Sequence, residues 1–270
     1  MAEEDTSPKA YKNMDFMNGP DARGLRILSE YIEPNTRLDQ HDVSDTIVFF
    51  GSARLLPRDI AEQQLETVRK DNGDLEIAER NLMMSRFYED ARELAKRLTV
   101  WSKQLEDTKR RFLVCTGGGP GIMEAANRGA SEAGGINIGF NISLPFEQHD
   151  NPYITRELNF EFHYFFMRKF WFLYLAKALV VFPGGFGTMD EMFEALTLIQ
   201  TQKSTKDLPI VLFGKEFWNS VLNLDVLVKY GTISQKDLKL FYTTDSVDDA
   251  FDHIVERLSK SAIKNPGGYF

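Results

Sequence analysis

Two stretches of the sequence combine a glycine-rich turn with one or more acids, and the second also holds a threonine; these residue types can hold a phosphate and act on a neighbouring bond. The first reads GGGPGIME at residues 117–124, and the second reads PGGFGTMDE at residues 183–191. Each follows a short apolar run and precedes a helical pattern. Backbone N–H groups of such turns, backed by a helix N-terminus, bind anions. The two turns together therefore predict one phosphate site.

Neither turn fits the two commonest nucleotide-binding motifs. A dinucleotide fingerprint needs G-x-G-x-x-G and an acid about 20 residues further on, whereas Ile122 stands at the last glycine position and the next strand ends at Asn141. A P-loop needs Gly-Lys-Ser/Thr, whereas Gly187 is followed directly by Thr188. One such turn alone is more often ordinary turn chemistry. Two in one chain favour a phosphate site.

The acids beside the turns also have a purely structural interpretation. Thr188 and Glu191 match the capping-box pattern, in which Glu191 only satisfies the start of its own helix. Asp190 would interact favourably with the helix dipole in either interpretation, and Glu124 has the same structural explanation. A functional role for Glu191 therefore needs support from elsewhere in the chain.

Arg168 provides that support. A helix is predicted over residues 163–178 and a strand over residues 179–183. Because a helix rises about 1.5 Å and a strand about 3.3 Å per residue, the chain returns to the level of Arg168 when it reaches the second glycine turn. A cation among so many aromatic side chains usually has an anionic partner, here Glu191, a phosphate or both. We interpret Lys169 and Lys177 as surface or rim cations.

Short apolar runs alternate with helical patterns, which predicts an α/β fold. We expect a Rossmann-like, doubly wound parallel sheet flanked by helices, in a single domain with an N-terminal helical extension. The proposed division is an acidic arm over residues 1–45 with a short helix around 25–32, a catalytic domain over 46–262 and a tail over 263–270. In such a sheet the ligand site lies beyond the carboxyl ends of the strands. The loops expected there are residues 51–54, 116–121, 144–152 and 183–188.

Composition excludes several classes of function. The net charge is −8, and residues 1–45 hold ten Asp or Glu against five Lys or Arg, which argues against nucleic-acid binding. Cys115 is the one cysteine and falls in a predicted strand, where an inert core thiol is usual. No signal pattern opens the chain, so we expect a cytoplasmic protein. The four histidines lack metal-ligand spacing, although His149 could serve in a loop over the site.

The motif set resembles the LOG family. The motifs that carry the resemblance are PGGFGTMDE at 183–191, MRK at 167–169 and GGGPGIMEAANRGA at 117–130. Members of this family are cytokinin-activating nucleoside 5′-monophosphate phosphoribohydrolases, long described as possible lysine decarboxylases. The likeness spans roughly residues 46–260. The long arm and the charged segment at 56–79 make this chain similar to the longer bacterial-type members.

The resemblance implies hydrolysis of the N-glycosidic bond of AMP or an N6-modified AMP, which yields free base and ribose 5-phosphate without a metal or organic cofactor. It implies Arg168 and Glu191 as the catalytic pair. Glu191 would stabilise positive charge at C1′ or deprotonate water, and Arg168 would anchor the substrate. The substrate-binding residues implied or expected are Gly51, Ser52, Gly118, Gly119, Glu124, Met167, Lys169, Gly184, Gly185, Gly187 and Thr188.

Two other functions are considered. A non-catalytic nucleotide or cofactor carrier, such as a molybdenum-cofactor carrier, would share the PGGxGT turn. Retention of Arg168 and Glu191 favours the enzyme. A pyridoxal phosphate decarboxylase would need a Schiff-base lysine. Lys169 is the only lysine near the proposed site, and nothing in the sequence marks it as desolvated. The aromatic helix predicted over residues 162–178 favours core packing and a homodimer or larger homo-oligomer rather than an aromatic substrate site.

Overall fold

The structure, a computed structural model, describes residues 7–71, 73–105, 110–143 and 151–268. The strands in these residues are β1 Thr46–Phe50, β2 Leu113–Thr116, β3 Ile138–Ile142, β4 Asn159–Phe162, β5 Ala176–Val181, β6 Ile210–Phe213 and β7 Tyr242–Thr244. The α-helices are α1 Met14–Asn18, α2 Arg23–Gln40, α3 Arg58–Asp71, α4 Leu75–Lys103, α5 Ile122–Glu132, α6 Phe165–Leu175, α7 Phe186–Gln200, α8 Lys215–Val221, α9 Leu224–Lys229 and α10 Val247–Ser261.

All seven described strands form one parallel sheet in the order β4-β3-β2-β1-β5-β6-β7. The chain builds outward from β1 to β4 and then crosses to the other side of β1 for β5. This reversal is the topological switch point, where the loops after neighbouring strands diverge and leave a crevice. The predicted α/β class with a doubly wound parallel sheet is confirmed.

Both faces of the sheet are buried, which explains the continuous apolar runs of its central strands. Ile47 and Phe49 of β1 face a core formed with α4, α5 and α10, whereas Val48 and Phe50 face the core on the side of α2, α6, α7 and α8. Cys115 of β2 is completely buried, and burial raises the pKa of its thiol, so the predicted inert core thiol is confirmed. Within the described residues, no helix is both long and apolar enough to cross a membrane.

The helix of the N-terminal arm is longer than predicted and binds closely to the domain. Instead of a short helix around residues 25–32, α2 runs from Arg23 to Gln40, since apolar contacts recur along one side as far as Leu38. The carboxylate of Glu30 accepts hydrogen bonds from the backbone N–H groups of His163 and Tyr164, 2.8 and 3.2 Å away. These groups lie directly before α6, so Glu30 holds the backbone that leads into the helix carrying Arg168.

The predicted aromatic helix over residues 162–178 is wrong at both ends. Residues 159–162 form the edge strand β4, whose alternating exposed and buried side chains leave only Phe160 and Phe162 inside. At the other end, β5 begins at Ala176, so Lys177 is a strand residue that is 2% exposed and not a rim cation. Its ammonium group donates to the carbonyl oxygen of Asn265 at 2.9 Å.

Two further elements that the sequence predicts are interrupted. The apolar pattern of residues 215–231 predicts one helix, but the structure has two short helices, α8 and α9. The pattern of residues 238–245 predicts one strand, but the structure has a 3₁₀ turn at Gln235–Lys239 followed by β7. The charged segment at 56–79 forms α3 and the start of α4. Apolar periodicity alone does not reveal such breaks, because flanking residues continue the same pattern.

Candidate active site

The loops after β1, β2 and β5 meet at the switch point. The N–H of Ser52 donates to the carbonyl oxygen of Pro183 at 3.0 Å, and the N–H of Ile122 donates to the carbonyl oxygen of Ser52 at 3.1 Å. A Cβ atom on Gly51 would lie 2.7 Å from the side chain of Ile122. The three loops are therefore joined by backbone contacts that leave no room for larger residues.

The glycine turn after β2 is shaped by the side chains around it. Gly118 has a φ of +74°, and a Cβ atom there would lie 2.1 Å from Oδ1 of Asn141, so only glycine fits. Gly119 is buried in the same turn. A Cβ atom on Gly117 would lie 2.9 Å from Sδ of Met123 and 3.9 Å from Nη1 of Arg168. The guanidinium of Arg168 therefore also approaches the turn after β2.

The turn after β5 is exposed and leads into α7. Gly185 is the N-cap residue, with extended backbone and no side-chain cap, and α7 begins at Phe186. Thr188 therefore lies in the first turn and Glu191 in the second, so the capping-box interpretation of this pair is wrong. Gly184 packs against Thr188, whose Oγ1 would lie 2.2 Å from a Cβ atom on the glycine. The open turn leaves backbone N–H groups at the start of α7 for an anion.

Arg168 and Glu191 lie close enough to interact electrostatically at this edge of the sheet, where Glu191 is buried and Arg168 is partly buried. The side chain of Glu191 is 6% exposed, and burial raises its pKa to about 7, although Lys169 and Arg168 both act to lower it. The pKa of Arg168 is lowered, because burial outweighs the negative charges of Glu191, Asp190 and Glu161, which act to raise it. Within the described residues, Nε of Arg168 and Oε2 of Glu191 are buried without a hydrogen-bond partner.

Two unsatisfied groups of opposite charge at the same edge of the sheet are suited to binding a ligand. A buried charged group without a hydrogen bond is costly, and native structures keep few of them. The guanidinium of Arg168 lies over the rings of Phe165 and Phe172, at 5.1 and 5.6 Å from their centroids, which compensates only part of this cost. The remaining donor and acceptor can bind a substrate that has both an anionic and a polar group.

Lys169 lies at the mouth of the site. Its ammonium group lies 2.7 Å from Asp190, 2.8 Å from Glu194 and 3.7 Å from Glu191. Burial acts to lower its pKa, but hydrogen bonds to Asp190 and Glu194 outweigh burial and raise it. A Schiff-base lysine must lose its proton to react. These contacts therefore argue against the decarboxylase mechanism for Lys169.

Two other predicted residues lie at the margin of this arrangement. Glu124 is in the first turn of α5, and its Oε1 accepts a 2.6 Å hydrogen bond from the hydroxyl of Tyr88. Met167 is 8% exposed and packs in the core on the α6 side of the sheet. Sequence reasoning did not identify Tyr88, since no local pattern links α4 to α5.

His149 and most of the loop at 144–152 lie outside the described residues. The described residues hold no group of acids, histidines or cysteine that could bind a metal.

The family comparison adds independent evidence. Residues 123–254 match the family model described as possible lysine decarboxylase. The family predicted from the motifs is confirmed, and its region runs from α5 to α10. The possible lysine decarboxylase region contains Arg168, Glu191 and the whole turn after β5, whereas the loops after β1 and β2 precede it.

Solved structures match this chain at low similarity. A structural-genomics X-ray structure of TM1055 is 21% identical with a TM-score of 0.48, and the match covers 78% of this chain and 99% of that one. A molybdenum cofactor binding protein from the phototrophic bacterium Rippkaea orientalis is 15% identical, with 78% and 96% coverage and a TM-score of 0.45. A Moco carrier protein from Chlamydomonas reinhardtii is 21% identical, with 80% and 99% coverage and a TM-score of 0.44. No curated protein sequence matches this chain.

Proposed function

We propose that this protein hydrolyses the N-glycosidic bond of AMP or an N6-modified AMP and releases the free base and ribose 5-phosphate. One observation carries the proposal. Glu191 is a buried carboxylate with an unsatisfied oxygen, it interacts electrostatically with Arg168, whose Nε is also unsatisfied, and it lies one turn from an open glycine turn at a helix N-terminus. This combination provides a phosphate site, a cation and a proton acceptor in one crevice.

Glu191 suits the role of proton acceptor or charge stabiliser. In the proposed step, the bond between C1′ and the base breaks, and its electron pair leaves with the base. Water then attacks C1′ and loses one proton to Glu191. The departing base takes up a proton from solvent. The transition state resembles an oxocarbenium ion, which a nearby carboxylate stabilises. A pKa of about 7 allows Glu191 to accept a proton near neutral pH.

The cations and the glycine turn hold the substrate in this scheme. We assign the phosphate to the turn that includes Gly184, Gly185, Gly187 and Thr188, because N–H groups at a helix N-terminus favour an anion. Arg168 remains protonated and therefore acts as an anchor through hydrogen bonds and charge. Lys169 neutralises the acids around Glu191. Binding energy from the phosphate then contributes to orienting the sugar. The reaction needs water alone, so we assign no cofactor.

A panel of nucleoside monophosphates tests this function and separates it from the carrier alternative. The protein is incubated with AMP, N6-isopentenyl-AMP, GMP and CMP, and the free base is resolved by chromatography, while binding is measured by calorimetry. Release of adenine or its N6-modified form supports the proposal and ranks the bases. Tight binding of AMP with no base released over hours would establish the carrier function instead.

We also propose that the protein assembles through the apolar surface formed by α2 and α6. A groove of about 680 Å³ between these helices is lined by Gly24, Ile27, Leu28, Tyr31, Phe166, Met167 and Phe170. Leu28 is 51% exposed and Phe166 is 54% exposed. Exposed apolar patches of this kind mark interaction sites. A second copy presenting the same patch would bury it by a two-fold contact.

A further inference from the structure

A chain of buried hydrogen bonds starts at the glycine turn after β2. The N–H of Gly118 donates to Oγ1 of Thr116 at 3.0 Å, and this hydroxyl donates to Oδ1 of Asn127 at 2.6 Å. Thr116 and Asn127 are completely buried. The chain therefore leaves the candidate site and enters the interior between β2, β3 and α5.

The same chain continues to the segment at residues 151–155. Asn151 donates to Oδ1 of Asn127 at 3.0 Å, and Asn127 donates in turn to Oδ1 of Asn137 at 2.7 Å. Asn137 then binds the middle and the C-terminal end of the segment, since its side-chain amide donates to the carbonyl oxygen of Tyr153 and its backbone N–H donates to Oγ1 of Thr155, each at 3.0 Å. Asn127 is thus the branch point between the turn and the segment.

Such a chain determines the geometry at both of its ends. A buried polar group that loses its partner is costly, so a fully bonded network allows few alternative arrangements. At the turn, Thr116 fixes the N–H of Gly118, and Asn141 occupies the space where a Cβ atom would lie. Movement of the turn would therefore break the bond to Thr116 and disturb the branch point at Asn127.

We propose that Thr116 and Asn127 are positioning residues that couple the glycine turn after β2 to the segment at residues 151–155. The substrate site and this segment then move as one unit, and binding at the turn orders the segment. The link to substrate rests on the proposed function. The coupling itself is a property of the folded chain without any ligand. Neither residue touches substrate in this proposal.

The matched pair Thr116→Val and Thr116→Ser tests the coupling. Valine keeps the volume but removes the hydroxyl that bonds to both Gly118 and Asn127, whereas serine keeps it. Hydrogen exchange by mass spectrometry is measured on the full-length protein without ligand, in peptides covering residues 113–121 and 151–158. Thr116→Val is expected to speed exchange in both peptides by roughly fivefold to a hundredfold, the range for an unsatisfied buried group. Thr116→Ser should restore the slow rates.

Two further variants distinguish coupling from general destabilisation. Thr99 is also buried, and its hydroxyl donates to Ala95 within α4, far along the chain from the turn. Thr99→Val therefore removes a buried hydroxyl without touching the network and should leave both peptides unchanged. Asn151 is partly buried at the outer end of the network. Asn151→Ala should speed exchange at residues 113–121, and it provides a test if Thr116→Val does not fold.

Kinetics with AMP connects the network to the substrate site. If the turn binds substrate and transition state alike, Thr116→Val and Asn151→Ala should raise KM severalfold with little change in kcat. Local exchange rates that are unchanged in both variants, or equally raised in Thr99→Val, would overturn the coupling. If the wild-type protein releases no base from AMP, the proposed function fails, but the ligand-free exchange comparison still decides the coupling.

Discussion

Replacing Glu191 with glutamine should abolish base release and at the same time stabilise the fold at alkaline pH. Glutamine has the same shape but cannot accept a proton or carry a negative charge. A carboxylate that is 6% exposed and has an unsatisfied oxygen is costly to charge, which is why its pKa rises to about 7. The proposed reaction requires a negative charge on Glu191, and this same charge lowers the free energy of unfolding.

The magnitude follows from the two pKa values. Below pH 4.5, the ordinary pKa of this carboxyl, both the folded and the unfolded chain hold the proton. Between pH 4.5 and about 7 only the unfolded chain releases it, so the free energy of unfolding falls as pH rises. Above pH 7 the loss is complete. At about 1.4 kcal/mol per pH unit, the full difference is about 3 kcal/mol.

Chemical denaturation of both proteins at pH 5 and pH 8.5 measures this difference. The gap in free energy of unfolding between Glu191→Gln and the wild type should grow by about 2 to 3 kcal/mol from the lower to the higher pH. Glu194→Gln is the matched control, since this more exposed acid on the same helix also contacts Lys169. A gap that does not change with pH would refute the buried-charge reasoning. Unchanged turnover of AMP by Glu191→Gln would refute its catalytic role.

Three other substitutions test separate parts of the site and the assembly. Arg168→Ala should lower kcat/KM for AMP roughly 10- to 100-fold, because a hydrogen bond to a charged group is lost; kinetics equal to wild type would remove Arg168 from the site. Gly184→Ala should lower the free energy of unfolding by about 1 to 3 kcal/mol, since its Cβ atom would overlap the threonine of the same turn. Gly185→Ala should not lower the free energy of unfolding, because a Cβ atom there would meet open space. Equal unfolding midpoints of the two variants would contradict this prediction. Phe166→Glu should yield smaller particles in light scattering, whereas Met83→Glu, equally exposed on α4, should not; if Phe166→Glu leaves the particle size unchanged, α6 is not the interface.

Sequence patterns predicted the central strands and the convergence of Arg168 with the second glycine turn. Buried parallel strands are short apolar runs, and the carboxyl ends of such strands share one edge, so the position of a loop follows from its place after a strand. The edge strand β4 was missed because its four residues lie directly before the aromatic helix and only two of them are buried. The capping-box alternative failed because α7 begins at Phe186, and the extended backbone of Gly185 determines that start.

By itself, the sequence determined the fold class, the family and the edge of the sheet at which the site lies. These depend on local periodicity and on motifs contiguous along the chain. Tertiary structure alone decided that Glu191 is buried with an unsatisfied oxygen, that Glu30 of the arm binds the backbone directly before α6, and that Asn127 joins two distant segments. Burial and hydrogen bonding between residues far apart in sequence depend on packing, and no local pattern encodes which partners packing brings together.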